Sequence, residues 1–494
     1  MLSRTEDVTK GTSTVFEGLC YSKSTLLIES QIPPSPHRRQ ILRRGILLGS
    51  IIMDARTRFS PIPWDPREHL CQKLLRTRRL SKRTDSPLRE QIQHLCEDVA
   101  IRGDLAVQEA TRTFDRRNVQ SIRVDSDELH DAARRCDDAT RKALDTAIKR
   151  VSEYNDEIIS RASWASSSAT GDMWGEIARP ISSAGLFVPN GKGSFPSVAV
   201  QIGAPARSAK VPRLVMVIPP NASGPRLDSA TAYVALRLSV DIVLCANGPA
   251  LVAALTTGTE SVPKVPMIVG PGSPAIVYAQ EYAQTRGVVT VAGLGPTDSI
   301  IVADDGADPK LVAYDLVNEA EHGPDSSAIL LASNDSLAVK VSQSLPSAIS
   351  QLPEPRRSYA IQSIADNGGI FTFNSTEEAI DVANQLAGEH LQLAVADPQS
   401  YVDLVQNAGT LLLGQNTTFA ASNYVGGTPA TLPTTGASRM HSGVTAHTYM
   451  KTTSFLSMRA ETMQQMHNPI CTLAEYEGFP AHGNSSKVRL GEIV

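Results

Sequence analysis

Between about residue 184 and residue 414 the sequence keeps changing its hydrophobic period, and this constrains the fold more than any other feature. "AGLFVP", "RLVMVIPP", "DIVLCA" and "VPMIVGP" read as strands. Between them "SVAVQIGAPARSAKV", "SATAYVALRLSV" and "PALVAALTTG" read as helices, and "AIVYAQEYAQTRG" as a further one. Near-continuous apolar strands alternating with helices of this length indicate βαβ units and a parallel sheet covered on both faces. The alternation resumes with "SIIVAD", "KLVAYDLVNEAEHG", "SAILLAS" and "SLAVKVSQSL", and runs through "IDVANQLA", "LQLAV", "VDLVQNA" and "TLLLG". The expected fold class is therefore α/β, with two Rossmann-like parallel-sheet domains. An N-terminal helical region precedes them, with "LREQIQHLCEDVAIRGDLAVQEATRTF" its clearest helix, and a C-terminal dimerisation tail follows.

The boundaries expected are 1–60 for a poorly ordered extension rich in Ser, Thr, Pro and Arg, and 61–184 for the helical region, taken as part of the first α/β domain. A Rossmann-like cofactor-side domain would occupy 185–296, a catalytic and metal-binding α/β domain 297–442, and the tail 443–494. After Gly443 the alternation dissolves into "AHTYMKTTSF" and a helical stretch. A tail that follows a completed sheet is expected to pack on a neighbouring subunit.

A chain of 494 residues is long enough for more than one core. Its net charge of -4 gives no nucleic-acid footprint. The six cysteines, at 20, 71, 96, 136, 245 and 471, contain no C-x-x-C pair, which suits a reducing, cytoplasmic compartment rather than a disulfide framework. "GILLGSIIM", 45–53, is too short to span a bilayer and lies too deep for a typical signal peptide, so no membrane partner is expected. No G-x-G-x-x-G follows any strand, and the glycine-rich turn "VPNGKGSFPS" fits neither a dinucleotide fingerprint nor a Walker A loop.

Polar groups that could do chemistry are few, since there are only ten histidines. "LAGEHLQL" sets Glu389 and His390 at a helix-to-strand junction, after a helix that opens with the capping-box pattern Ser375-x-x-Glu378. Taken alone, such a dipeptide is more often a solvated polar step than a catalytic pair. In "NEAEHGPDS", Glu319 and His322 are three positions apart and project from one helical face, a sound platform for a metal. A histidine favoured by the helix dipole is the plainer local explanation. His482, in "EGFPAHG" with Glu477 five residues before it, reads alone as a solvent-exposed tail histidine.

Taken in order, "AEHGPDS", "GEHLQL", "NAGTLLLG", "GTPATLPTTG" and "EGFPAHG" resemble the histidinol dehydrogenase family, including its sulfopropanediol dehydrogenase relatives. "GLFVPNGKGSFPS", "GTESVPKVPMIVGPG" and "RGDLAVQEATRTFD" share the resemblance, which runs from roughly Leu88 to Val494. It implies a homodimeric dehydrogenase that oxidises an alcohol to a carboxylate through an aldehyde, with two hydride transfers to NAD and a zinc ion that positions the substrate. Carried over by motif position, the zinc ligands are Glu319, His322, Asn423 and, from the other subunit, His482. Glu389 and His390 become the acid-base residues. Thr297 and Glu477 join Glu319, His322, Glu389, Asn423 and His482 as substrate-binding residues, and Phe187, Ala250 and Ser273 occupy the NAD-contacting positions.

The resemblance also marks departures. The family has Gln at the position of Glu319 and Asp at that of Asn423, a reciprocal exchange that keeps one carboxylate and one amide in the ligand set. Pro429-Ala430 replace the family's Asn-His and remove an imidazole. Phe187, Ala250 and Ser273 replace a tyrosine, a glutamine and an asparagine. The function expected is a zinc- and NAD-dependent dehydrogenase of a small polar alcohol other than histidinol. The alternative is a catalytically degenerate relative that serves as a binding or scaffold protein.

Overall fold

The computed structural model describes residues 59–65, 67–77, 86–190, 193–291 and 295–493. The chain divides into a unit of residues 1–53, which lies outside those residues, and a unit Asp54–Val494, to which everything below belongs. The readings of "GILLGSIIM" and of most of the N-terminal extension thus fall outside the described residues. Phe59, which falls within the expected extension, is buried in the core of the second large sheet.

The described strands are β1 (Ile62–Pro63), β2 (Trp164–Ser167), β3 (Met173–Pro180), β4 (Ala184–Phe187), β5 (Leu214–Val217), β6 (Ile242–Leu244), β7 (Met267–Val269) and β8 (Val289–Thr290). They continue with β9 (Asp298–Ala303), β10 (Ser327–Ala332), β11 (Gly369–Thr372), β12 (His390–Ala394), β13 (Thr410–Leu413) and β14 (Met450–Ser457). Five form a parallel sheet in the order β6-β5-β4-β7-β8. A second parallel sheet has the order β1-β11-β10-β9-β12-β13. Leaving β1 aside, both are doubly wound in the same way, with the strand first in sequence at the centre and the fourth on its far side. In such a sheet the order reverses between those two strands, here β4 and β7, then β9 and β12.

The apolar runs form these strands because helices cover both faces. Every residue of β4, β5, β9 and β12 is buried. In the first sheet α1 (Pro196–Ser208) follows β4, α2 (Gly248–Thr257) follows β6 and α3 (Pro274–Thr285) follows β7. α2 is buried along nearly its whole length, which its sequence "GPALVAALTT" permits. Gly270 follows β7 at φ 144°, and a Cβ there would meet the carbonyl oxygen of Phe187 at 2.0 Å. The ends of β4 and β7 therefore come together only with glycine at this position.

Two features depart from expectation. β1 pairs with β11, so residues 62–63 complete the second sheet instead of joining the helical region of the first. "MKTTSFLS", which shows no clean period, is strand β14, paired antiparallel with β3 in a separate sheet of order β14-β3-β2. Most of β14 and all of β2 are exposed, which removes the apolar alternation that betrays a strand. Among the described residues no helix is long and apolar enough to cross a membrane. Cys71, Cys96, Cys136, Cys245 and Cys471 are free thiols.

Candidate active site

The polar cluster lies at the amino ends of the second sheet's central strands. Helix α4 (Pro309–Ala320) returns from the carboxyl end of β9 and brings Glu319 and His322 back to that level. Helix α5 (Thr376–Leu386) ends at Ala387, a left-handed C-cap with φ 51°, and Gly388 and Glu389 lead directly into His390, the first residue of β12. Ser375 caps α5 by accepting the Glu378 N–H at 3.2 Å, as the capping pattern predicts. The short helix α6 (Phe419–Tyr424) supplies Asn423.

Three of these side chains form a chain of contacts. Glu319 is fully buried, and its Oε1 accepts from Asn423 Nδ2 at 2.7 Å and from Asn318 Nδ2 at 3.0 Å. With its amide nitrogen turned to Glu319, Asn423 presents Oδ1 to His390 Nε2 at 3.2 Å. Nε2 then carries the proton, and Nδ1, buried without a hydrogen-bond partner, holds the lone pair. Phe419 closes one side of the ring edge-on, with centroids 5.6 Å apart. Burial lowers the pKa of His390, opposed in part by Glu319, so the imidazole is neutral at pH 7.

Glu319 Oε2 is buried with no hydrogen-bond partner and stands 3.7 Å from His322 Nε2. Thr297 Oγ1, 3.3 Å from His322 Nδ1, holds the other side of that ring. An unpartnered buried carboxylate oxygen beside an imidazole nitrogen and an amide is costly alone but suits a cation. These donors therefore fit a zinc ion. Among the described residues no three His, Cys, Asp or Glu side chains converge on such a site, so this chain offers two of those types and an amide.

Glu389 is 7% exposed. Its Oε2 accepts the Asp298 backbone N–H at 3.2 Å, and its own backbone N–H donates to Asp298 Oδ1. Burial, then the charges of Asp298 and Glu319, push the Glu389 carboxyl well above the usual range, against the pull of the Asp298 N–H. Asp298, which opens "DSIIVA", carries no signal in the sequence, because only the fold sets it against Glu389.

The other expected residues stand apart from this cluster. Glu477 is the C-cap of α7 (Ala460–Tyr476), and His482 lies in α8 (Pro480–Arg489) with its ring against Phe479; both are exposed. Phe187, Ala250 and Ser273 stand at the carboxyl ends of the first sheet, by its β4–β7 reversal. The Phe187 ring and Ala250 are buried in core, whereas Ser273 is the exposed N-cap of α3. Ala430, in place of the expected imidazole, donates its N–H to Gln201 Oε1 of α1 at 3.2 Å. The corresponding reversal of the second sheet opens into a cavity of about 260 Å³ lined by Gly306, Val395 and Gly414, at the strand ends opposite the polar cluster.

Two doubly wound sheets with a carboxylate–amide–imidazole cluster at the head of one place the chain among the α/β enzymes. A family model for histidinol dehydrogenase matches residues 78–490. A histidinol dehydrogenase homolog of Colwellia psychrerythraea is 34% identical, the match covering 82% of this chain and 92% of that protein. The histidinol dehydrogenase of Synechocystis is also 34% identical, over 80% of this chain and 92% of that protein. The crystal structure of histidinol dehydrogenase from Elizabethkingia anophelis superposes with a TM-score of 0.82 at 30% identity, covering 88% of this chain and 98% of that one. The chain belongs to the histidinol dehydrogenase family, whose members are NAD- and zinc-dependent dehydrogenases.

Proposed function

We propose that the protein is a homodimeric dehydrogenase that oxidises a small polar alcohol other than histidinol to the carboxylate, using zinc and NAD. The observation that carries this reading is the unpartnered Glu319 Oε2 beside His322, with Asn423 bridging Glu319 to His390. Glu319, His322 and Asn423 would hold zinc, with His482 from a second subunit. When bound, zinc would orient the substrate's heteroatoms, and two NAD molecules in turn would each accept one hydride.

The chain's own residues handle protons. His390 rests neutral and takes the alcohol proton at Nδ1, the ring nitrogen that holds the lone pair. Burial and neighbouring acids raise the Glu389 carboxyl, and positive charge entering the cluster favours its ionisation. As a carboxylate it then accepts a proton from the water that adds to the aldehyde, and the resulting hydrate gives up the second hydride. The exposed Glu477 and His482, which do not meet the cluster of their own chain, are suited to completing the site of a partner subunit.

The substrate is inferred from the wall at Ala430. Gln201 accepts the backbone N–H there, where the family resemblance implies an imidazole, so this position carries no titratable ring. The burial of Phe187 and Ala250 favours a second reading, a scaffold that no longer binds NAD. Two measurements separate the readings. Purified protein is expected to carry about one zinc per subunit, lost in His322→Ala, and calorimetric titration with NAD is expected to show saturable binding. Folded protein that takes up neither would overturn the dehydrogenase reading and leave the scaffold.

A further inference from the structure

We propose that Asp298 is the positioning residue of this site, fixing Glu389 with one carboxyl oxygen committed and the other free. The inference rests on the reading of Glu389 as the base and adds a residue to it. Asp298 opens β9, the central strand, and is 3% exposed. Its carboxylate accepts two backbone N–H groups from separate segments: that of Glu389 at Oδ1, and that of Thr435 at Oδ2 at 2.7 Å. Its own N–H returns a bond to Glu389 Oε2. The two acids are thus locked reciprocally, each side chain on the other's backbone. Glu389 Oε1 makes no hydrogen bond among the described residues and is the oxygen left for a reactant.

The second segment shows that the clamp works against local strain. Thr435 has φ 54°, a left-handed conformation that a β-branched residue adopts only when its surroundings hold it. The loop it belongs to supports the turn before Glu389 as well, since Ser438 Oγ donates to the Ala387 carbonyl at 2.7 Å. Asp298 joins that loop to the heads of β9 and β12. An acid placed against another buried acid is unfavourable electrostatically, and two amide donors on Asp298 offset the cost.

The test compares the full-length wild type with Asp298→Asn, which keeps the shape but loses the charge and turns one acceptor into a donor. Asp298→Ser serves if the first variant does not fold. Infrared spectroscopy follows the Glu389 carboxyl band, identified by its loss in Glu389→Gln, while hydrogen exchange follows the Glu389 and Thr435 amides. Among the described residues, Asp298 on β9, Glu319 on α4 and His390 on β12 are the charged or titratable groups nearest Glu389, and only the first changes.

The expected result is a Glu389 titration lowered by about one pH unit or more. Exchange at the two amides should quicken at least tenfold, with exchange along β12 unchanged. An unmoved band and unchanged exchange would overturn the proposal. So would failure of both variants to fold, which would make Asp298 a requirement of the fold alone. None of these readouts uses turnover, so a wild type that oxidises no alcohol would defeat the functional reading and leave this result standing.

Discussion

Asp315 sits one turn before Glu319 on α4, buried, with Oδ2 accepting Gln392 Nε2 at 3.0 Å. Burial raises its carboxyl to about 6, the Gln392 bond opposing. Because the folded value lies above the unfolded one, the folded state binds the extra proton. Stability therefore falls as pH rises from about 4 to about 6, by at most ~3 kcal/mol. Asp315→Asn should relieve this and can also donate to Gln392 Oε1, which has no partner. Thermal melts are expected to show the variant more stable than wild type at about pH 8 and no better at about pH 4. At His390 the expectation concerns rate: His390→Ala should fold normally and lose turnover by ~10²–10⁴, measured as hydride transfer to NAD with the alcohol that a substrate screen identifies. Glu389, His390 and Glu319 could be found in the sequence because they sit in ordered motifs. Asp298 and Asp315 could not be weighed there, since only the fold puts one acid against Glu389 and the other under Gln392.

At the scale of elements, the site depends on how α5 hands over to β12. The Ser375 cap starts the helix and the left-handed Ala387 stops it, so Glu389 emerges at the head of the strand. Ser375→Ala should cost ~1 kcal/mol, seen as a lower denaturant midpoint with an unchanged slope. Most elements of the two parallel sheets were legible, because strands buried on both faces leave unbroken apolar runs such as "LVMV". β1 was too short to announce itself, and β14 is too exposed. The sequence also could not tell which end of each sheet is used. The positions expected to meet NAD lie at the carboxyl ends of the first, and the polar cluster at the amino ends of the second, reached because α4 carries Glu319 back along the sheet.

At the scale of the whole molecule, the three-stranded sheet and the tail both leave large apolar side chains exposed. Trp164 and Leu456 of the three-stranded sheet and Leu473, Tyr476 and Phe479 of the tail are all at least half exposed. If a partner covers them and receives His482, each site mixes two chains. Then a heterodimer of His322→Ala with His482→Ala has one site with both defects and one with neither. It should bind about one zinc per dimer, while each parent homodimer binds none. Metal analysis of differently tagged, co-purified chains would decide it, and a metal-free heterodimer would count against a shared site.

The pairing of Met450–Ser457 with Met173–Pro180 joins segments far apart in the chain. Such a contact must wait for most of the polypeptide to be made, and closing so long a loop is slow. Until it closes, β3 has a bare edge ready to pair with any strand that passes. A nascent chain is therefore most at risk of aggregation late in synthesis, and a truncation just before residue 450 would fix that hazard permanently.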